Sequence, residues 1–280
     1  PGLALAPRRG IWIAAEGSRW DVTPQQSTTG LDFDLDLWRI RAGFETIAME
    51  AASGTMTVGL DFFAGNGTLD AHAEAGSTST STDAYGGGLT LTWYGDDGLY
   101  ADGQLSFVSS DSDISSGTLG TVATGVGGSA TVLSVELGKR FGLQSGWTVI
   151  PQGQLSWASM SFDSFTGSSG ETVTPEDWNS LLLRLGAAAE RRWQVESGGQ
   201  ASFYGLANVN HEFNADTTVD VSGTKLTSKL PDWTAELGIG GAYDWNDGRG
   251  RLFGEVTVSE ALGSGDLSGV SGTLGISLRF

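Results

Sequence analysis

The 280-residue sequence contains no cysteine, two histidines and six prolines, and it has no apolar run long enough for a membrane-spanning helix. Without cysteine there are no disulfides, thiolate metal sites or cysteine nucleophiles. Basic residues are scarce, since 15 Lys and Arg stand against 33 Asp and Glu and give a net charge of −18. Such a surface repels a phosphate backbone, so we expect no nucleic-acid partner.

Glycine and tryptophan are abundant, with 43 and 10 residues respectively. Many glycines with few prolines are typical of an all-β chain with many turns, because glycine adopts the positive φ that hairpins require. Ten tryptophans are unusual for a soluble domain, in which few buried positions satisfy an indole N–H. The mean hydropathy of −0.08 still permits a membrane location, because apolar and polar residues alternate in a barrel wall.

Residues 233–245 show the alternation most clearly. The odd positions read Trp, Ala, Leu, Ile, Gly, Tyr, Trp, and the even positions read Thr, Glu, Gly, Gly, Ala, Asp. About 9–11 residues cross a bilayer as a tilted strand. Aromatic residues at both ends of the apolar face match the two interfacial girdles of a membrane barrel. The segment is therefore predicted to be a transmembrane strand.

The same alternation predicts about twelve strands, which makes the fold an all-β, antiparallel transmembrane β-barrel. The predicted spans are residues 11–20, 31–46, 54–64, 83–94, 99–110, 130–142, 147–161, 178–193, 200–213, 232–245, 251–262 and 271–280. Short connections alternate with mostly long polar ones, which are residues 65–82, 111–129, 162–177 and 214–231. Because outer-membrane barrels have short periplasmic turns and long extracellular loops, both termini are predicted to be periplasmic. Residues 11–280 form the barrel domain, and residues 1–10 are a residual linker.

The alternation changes phase in the second predicted strand. Before Trp38 the apolar residues occupy positions 33, 35 and 37, between Asp32, Asp34 and Asp36; from Trp38 onward they occupy even positions. A β-bulge near Trp38 would produce this change. We therefore predict a bulge at the rim of the barrel.

If the apolar faces meet lipid, the charged positions of the opposite faces point into the lumen, because a charge in the bilayer midplane costs about 2–4 kcal/mol. The predicted lumen residues are Arg39, Arg41, Glu45, Glu136, Arg140, Arg184, Glu190, Glu236 and Glu255. Two interpretations remain open at this stage. The lumen is either a narrow polar channel or an interior filled by paired charges.

The sequence contains little that could support catalysis. His72 is predicted to lie in the polar loop of residues 65–82, and His211 lies near the outer end of a strand beside Glu212. A Ser-His-Asn set can be drawn from His211, Asn208 and Asn210, but serines are so frequent that any histidine would have one nearby. We interpret both histidines as surface residues and expect no enzyme activity, metal site or cofactor.

Several segments, taken in order, resemble one family, the autotransporter β-domain of type V secretion. The residues that carry the resemblance are Gly10–Gly17 for the opening strand, Tyr94–Gln104 for the central hairpin, Ile150–Trp157 and Phe162-Asp163 for the seventh strand and the loop entry after it, Ser202–Phe213 for the ninth strand, and Gly272–Phe280 for the closing strand. The ninth strand departs from the family pattern because Phe203 stands where the family usually has proline.

The resemblance implies a twelve-stranded barrel in a Gram-negative outer membrane, with its outer wall against lipid and lipopolysaccharide. It would anchor and translocate a passenger domain N-terminal to it, with help from the barrel-assembly machinery. Tyr100 and Asp102 match a lumen pair of the family. The first asparagine is Asn66, so nothing supports self-cleavage in a linker. A free-standing barrel acting as an adhesin or narrow channel is the alternative.

The C-terminal strand carries a further expectation. Leu274, Ile276, Leu278 and Phe280 are predicted to face lipid, and the residues between them face the lumen. In the families that this chain resembles, the assembly machinery recognises such a terminal strand with its final aromatic residue. These four residues are therefore predicted to form the assembly signal.

Overall fold

The computed structural model describes residues 9–74, 76–196 and 198–280. Within these ranges there is no helix, and so none that could cross a membrane. Twelve long strands dominate the fold. They are β1 (Gly10–Thr23), β2 (Asp32–Ala51), β3 (Gly54–Ala73), β4 (Gly76–Gly95), β5 (Leu99–Ser116), β6 (Gly120–Lys139), β7 (Trp147–Phe162), β8 (Trp178–Gln194), β9 (Gln200–Glu212), β10 (Trp233–Trp245), β11 (Gly250–Ala261) and β12 (Asp266–Arg279).

Each long strand pairs antiparallel with the next, and β12 pairs with β1, which closes the barrel. The closing ladder runs without a break from the pair Gly10 and Arg279 to the pair Thr23 and Asp266. Closure gives every long strand a ladder partner on both sides within the barrel wall, while strand ends such as residues 120–126 of β6 pair on one side only. The predicted fold class, a closed antiparallel barrel of twelve strands, is confirmed.

The two ends of the barrel differ in their connections. At one end, which we call the turn end, the strands are joined by residues 52–53, 96–98, 140–146, 195–199 and 246–249, and both ends of the described chain lie here. The last of these turns contains Asn246 and Asp247 with φ of 50° and 54°, followed by Gly248 with φ of 80°. Such residues tolerate the left-handed conformation that a tight hairpin needs. The opposite end is the loop end.

Two of the long polar connections predicted at the loop end are wrong. Residues 65–82 and 111–129 belong mostly to β3, β4, β5 and β6, whose strands meet through residues 74–75 and 117–119. The prediction failed because it required an apolar face. Alternating serine and threonine, as in residues 77–82, also form strands, since threonine favours the extended backbone and both side chains suit a wet surface.

The other long connections at the loop end build a second sheet, which we call the cap sheet and which the sequence did not predict. Its strands, in spatial order, are Phe165–Thr166, Thr172–Pro175, Asp216–Val221, Thr224–Lys229 and Gln26–Ser27. They come from the connections that follow β7, β9 and β1. The predicted loops 162–177 and 214–231 are therefore partly strands as well.

The predicted bulge near Trp38 is also wrong. Trp38 pairs with Gly17, and Leu37 pairs with Ser18, without any shift in register. The irregularity in β2 lies instead between Ile47 and Met49, close to the turn end. Residues at even positions thus face outward along the whole stretch from Asp32 to Phe44.

The phase change has a different physical origin. Near the turn end the outward residues of β2 are apolar and exposed, as for Phe44 at 40% and Trp38 at 55%. Beyond Trp38 the outward residues are aspartates, and the apolar Phe33 and Leu35 face inward. The side chains alternate regularly, and the change of the outward residues from apolar to acidic is what a change of the outside medium from lipid to water requires. We call the apolar outward zone the belt, and the water-exposed extension towards the loop end the crown.

A charge introduced in the belt should therefore destabilise the barrel, whereas the same change in the crown should not. We expect Phe44→Arg to lower the free energy of unfolding by about 2–4 kcal/mol, and Asp32→Arg to change it by less than about 0.5 kcal/mol. Urea unfolding in lipid vesicles, followed by tryptophan fluorescence, measures both. Equal losses for the two variants would mean that belt and crown face the same medium.

Candidate functional site

The interior of the barrel encloses a cavity of about 980 Å³. Its middle is lined by charged side chains from opposite walls, namely Glu16, Arg39, Glu136, Arg184, Glu236 and Glu255. Towards the loop end the lining becomes more apolar, and it includes Phe165 and Pro175 of the cap sheet and the neighbouring Trp178. The cap sheet thus contributes to the ceiling of the cavity.

One charged cluster joins the first three strands. Glu16 accepts a hydrogen bond from Arg39 Nε at 2.5 Å, and Arg41 Nη1 lies 3.7 Å from Glu16 Oε1. Arg41 also pairs with Asp61 at 2.9 Å. Of these, Arg39 and Arg41 were predicted lumen residues, while Glu16 and Asp61 were not. The predicted Glu45 is half-buried and lies nearer the turn end, opposite Gly10.

A second cluster contains three of the predicted residues. Tyr100 Oη donates a hydrogen bond to Glu136 Oε1 at 2.7 Å, and Arg184 Nη2 donates to Glu136 Oε2 at 2.5 Å. Tyr100 is only 2% exposed. Its ring lies over Gly138 on the neighbouring strand, where a Cβ would overlap the ring. Glycine at this position therefore lets an aromatic side chain lie flat against the inner wall.

Two further predicted residues are held by neutral partners. Asp102 accepts hydrogen bonds from Thr92 Oγ1 at 2.6 Å and from Gln104 Nε2 at 2.7 Å. Glu236 accepts one from Asn208 Nδ2 at 2.7 Å. Such bonds compensate a carboxylate that has left bulk water, although less fully than an arginine does.

The interior is filled near the turn end, in a region that we call the floor. Glu190, which is 1% exposed, pairs with Arg140 and with Arg192 Nε, the latter at 2.9 Å. Beside it, Tyr204 Oη donates to Glu255 Oε2 at 2.6 Å. The floor also contains a small buried apolar cluster formed by Tyr100, Ile150, Ala188 and Tyr204. Glu190 and these four residues are absent from the cavity lining, so the cavity ends above the floor.

The histidines form no catalytic arrangement among the described residues. His211 stacks on Trp233 with ring centroids 4.2 Å apart, on the outer wall. Asn208 and Asn210 face the interior, where Asn208 bonds Glu236 and Asn210 bonds Thr234. The Ser-His-Asn set drawn from the sequence is thus divided between two faces of β9. Within the described ranges, no three His, Asp or Glu side chains are placed to hold a metal ion.

The outer surface of the crown carries ionisable groups in contact across neighbouring strands. Arg19 pairs with Asp36 at 2.5 Å, and this hydrogen bond lowers the pKa of Asp36. Asp21 lies directly opposite Asp34 in the ladder, and a hydrogen bond between the two carboxyl groups raises the pKa of Asp21. The two pKa shifts have opposite signs, so they give opposite pH dependences.

A sequence signal existed for some of the missed interior residues. The alternation marks three of them as inward, because a polar or small residue stands two positions away on the same face; they are Glu16, Tyr204 and Asn208. Each lies in register with its bonding partner on a neighbouring strand. Asp61 is followed by Phe62 and Phe63, which conceal the alternation because Phe63 faces inward beneath Arg39. The pairing of each charge depends on register between strands, which a single sequence does not specify.

A closed barrel with an apolar belt outside and hydrogen-bonded charges inside defines an outer-membrane β-barrel protein. The model of the autotransporter beta-domain family matches residues 11–257. The chain belongs to this family. Membership of the family places it in the outer membrane of Gram-negative bacteria.

Named relatives agree with this assignment. The adhesin BmaC autotransporter of Brucella suis biovar 1 is 32% identical over the whole of this chain, and the pertactin autotransporter of Bordetella parapertussis is 30% identical over 57% of it. The chain spans 8% and 18% of the lengths of these two relatives.

Solved structures share the fold at low sequence identity. The transport unit of the autotransporter AIDA-I from Escherichia coli matches with a TM-score of 0.82 and 17% identity, covering 100% of this chain and 93% of that one. The beta domain of the Bordetella autotransporter BrkA matches with a TM-score of 0.69 and 19% identity, covering 98% of this chain and 100% of that one. The translocator domain of the autotransporter NalP from Neisseria meningitidis matches with a TM-score of 0.64 and 17% identity, covering 97% of this chain and 88% of that one.

The buried position of Glu190 predicts a large effect of its removal. Glu190→Ala leaves Arg140 and Arg192 without their shared carboxylate inside the barrel, and we expect a loss of about 3–5 kcal/mol in the free energy of unfolding. Glu176→Ala removes the exposed ion pair with Lys225 and should cost less than about 1 kcal/mol. Urea titration in lipid vesicles compares them, and a loss for Glu190→Ala no larger than that for Glu176→Ala would exclude a structural floor.

The crown predicts two opposite pH dependences. Because the folded state raises the pKa of Asp21, the contribution of this group to stability increases as the pH falls through its folded pKa. At pH 7 the group is ionised beside Asp34, so Asp21→Asn should raise the unfolding midpoint there. Because the folded state lowers the pKa of Asp36, the stability that this carboxylate contributes is present above its unfolded pKa and is lost as the pH falls through its folded pKa. Asp36→Asn should therefore lower the unfolding midpoint at pH 7. Both differences should shrink towards pH 3 in urea titrations. Shifts of the same sign at pH 7 would contradict the assigned contacts.

Proposed function

We propose that the chain translocates and anchors a passenger domain that precedes it in the full-length protein. The observation that carries the proposal is the family match over residues 11–257 on a closed barrel with a polar interior. The named relatives are autotransporters of which this chain covers only a small part, which is consistent with a large N-terminal passenger.

The orientation follows from the inversion of the strand faces. The crown carries carboxylates on its outer wall, including Asp32, Asp34 and Asp36, and it extends the barrel on one side only of the belt. Short turns are periplasmic and longer strands and loops extracellular in barrels of this kind. The turn end, with both ends of the described chain, therefore faces the periplasm, and a passenger crosses towards the crown.

The interior charges keep the passage polar without leaving isolated charges in it. The interior carboxylates are bonded to arginines or to neutral donors, so the lumen tolerates the loss of bulk water and yet offers hydrogen bonds to an extended chain. The roles of the predicted lumen residues are part of this proposal. The floor closes the periplasmic end when no chain occupies it, and the paired arginines have to move for a passenger to enter.

The outer wall fits the partners expected of such a barrel. Leu274, Ile276 and Leu278 face outward from β12 and are 39–61% exposed, and Phe280 follows the strand at 80% exposure. The belt contacts lipid, while the acidic crown lies at the level of the lipopolysaccharide headgroups. The assembly machinery recognises β12 before closure, when its edge is still free to pair.

A passenger replacement experiment tests the translocator function. A signal peptide and an epitope-tagged passenger segment are placed before Pro1, and antibody binding to intact cells is measured. We expect surface exposure of the epitope in cells whose barrel is folded, as judged by heat-modifiable migration. An epitope that remains periplasmic beside a correctly folded barrel would show a free-standing channel or adhesin instead.

The terminal residue gives a separate prediction about assembly. Phe280→Asp should reduce the yield of heat-modifiable barrel in cells several-fold, because it places a charge where an aromatic ring meets the interface. Leu119→Asp, at an exposed crown turn, is the matched control and should leave the yield unchanged. Equal yields for both variants would refute an assembly role for Phe280.

A further inference from the structure

The cap sheet crosses the mouth of the barrel from one side to the other. Its first strands come from the connection between β7 and β8, and its last strand comes from the connection between β1 and β2. In the closed ring of twelve strands these two connections lie six strands apart, on opposite sides. Five strands at about 4.8 Å spacing reach about 19 Å between the outer strands. The sheet is therefore placed to cover the mouth.

The underside of the cap sheet faces the cavity. Phe165 and Pro175 line the cavity together with inward crown residues such as Leu35, Val126 and Ile114. The apolar side chains of the underside and of the crown interior favour the covered state, because uncovering the mouth exposes them to water. A chain passing through the lumen has to displace the cap sheet.

The two sides of the cap sheet are attached differently. Four strands of the sheet belong to the connections after β7 and after β9, which are separated on the ring only by β8 and β9. They are joined by the ladder between Thr172–Pro175 and Asp216–Val221, by a hydrogen bond from Thr172 N to Ser222 Oγ, and by the Lys225–Glu176 ion pair. This side forms a continuous unit.

The opposite side is joined by a short polar seam, which we call the latch and which consists of Gln25–Thr28 against Thr227–Lys229 and Asp232. Gln26 and Ser27 pair with Lys229 and Ser228. Thr28 N donates to Thr227 O at 3.0 Å, and Thr227 N donates to Thr28 Oγ1 at 3.0 Å. Gln25 Nε2 donates to Asp232 Oδ1 at 2.7 Å. The bonded side chains are polar, so water replaces these bonds readily when the seam opens.

We propose that the latch is the opening seam of an outer gate. When Gln25–Thr28 separate from Thr227–Lys229 and Asp232, the cap sheet is free to swing about the connections after β7 and β9. When the latch forms again after a chain has passed, the mouth is closed. The inference rests on the proposed translocator function, in which a chain leaves through this end. It adds that the barrel closes its own outer mouth by a strand pairing between distant loops.

The absence of cysteine makes the gate directly measurable. Ser110 lines the cavity beneath the cap sheet, so Ser110→Cys introduces a single thiol inside the chamber. The 280-residue chain carrying this change is assembled in cells, and its rate of labelling by a membrane-impermeant polyethylene-glycol maleimide is measured from outside. We expect slow labelling, and at least about fivefold faster labelling when Gln25→Ala and Thr28→Val remove the side-chain bonds of the latch.

Thr218→Val is the matched control for the labelling experiment. It removes the contact between Thr218 Oγ1 and Thr227 Oγ1 inside the hairpin and leaves the latch bonds intact. Labelling with this variant should equal that of the Ser110→Cys chain alone. Equal rates for the latch variant and the control would overturn the proposal, as would fast labelling with the latch intact.

A second experiment locks the latch in the full-length protein. Ser27 and Ser228 are direct ladder partners, so Ser27→Cys with Ser228→Cys can form a disulfide across the seam. Thr218→Cys with Thr227→Cys forms the control disulfide within the hairpin. We expect the seam disulfide to block surface display of the passenger until reductant is added, and the control to have no effect.

The outcomes separate the gate from the translocator function. Normal passenger display with the seam disulfide formed overturns the gate and leaves the translocator function standing. Failure of display in the unmodified protein contradicts the translocator function itself, whatever the labelling rates show.

Discussion

The structure depends on one constraint, which is that every strand must keep its backbone paired while its outer face passes from lipid to water. Closure of β12 on β1 satisfies the backbone in both media. The side chains then have to suit two environments on one continuous ladder. In the belt the apolar residues face out and the charges face in, and in the crown part of β2 the arrangement is reversed.

The interior of the barrel follows from this reversal. Charges excluded from the lipid face accumulate inside the belt, where partial burial requires partners, and each cluster combines an arginine with a carboxylate or a carboxylate with a neutral donor. Glycines opposite Tyr100 and Tyr204 let these rings cover the wall of the floor. In the crown the inward residues include apolar side chains such as Leu35, Ile114 and Val126, and they make a surface that the cap sheet can cover.

The sequence predicted those features that depend on one strand at a time. Residues 232–245 were expected as a strand, and β10 spans Trp233–Trp245, because the alternation and its terminal aromatics are unambiguous there. The phase change at Trp38 was observed correctly and assigned to the wrong cause, since a bulge and a change of medium leave the same pattern. Ser77–Thr82 was missed as strand because its residues are polar on both faces.

Features that require several segments to meet were not predictable in this way. The cap sheet joins residues about 200 positions apart, such as Ser27 and Ser228, through short polar strands with no apolar alternation. Likewise, the sequence indicated that Glu190 and Arg140 face inward, but their pairing follows from the order of strands around the barrel. Side-chain direction is a local property, whereas partner identity is a property of the closed ring.

An accessibility scan along β2 tests most directly whether the medium, and not the backbone, changes at Trp38. Spin labels at single cysteines from position 32 to position 44 report collisions with oxygen in lipid and with a polar nickel complex in water. The account predicts an unbroken period of two, with outward positions 32, 34 and 36 exposed to water and outward positions 40, 42 and 44 exposed to lipid. A break in the period at Trp38, with odd positions outward before it, would contradict the account.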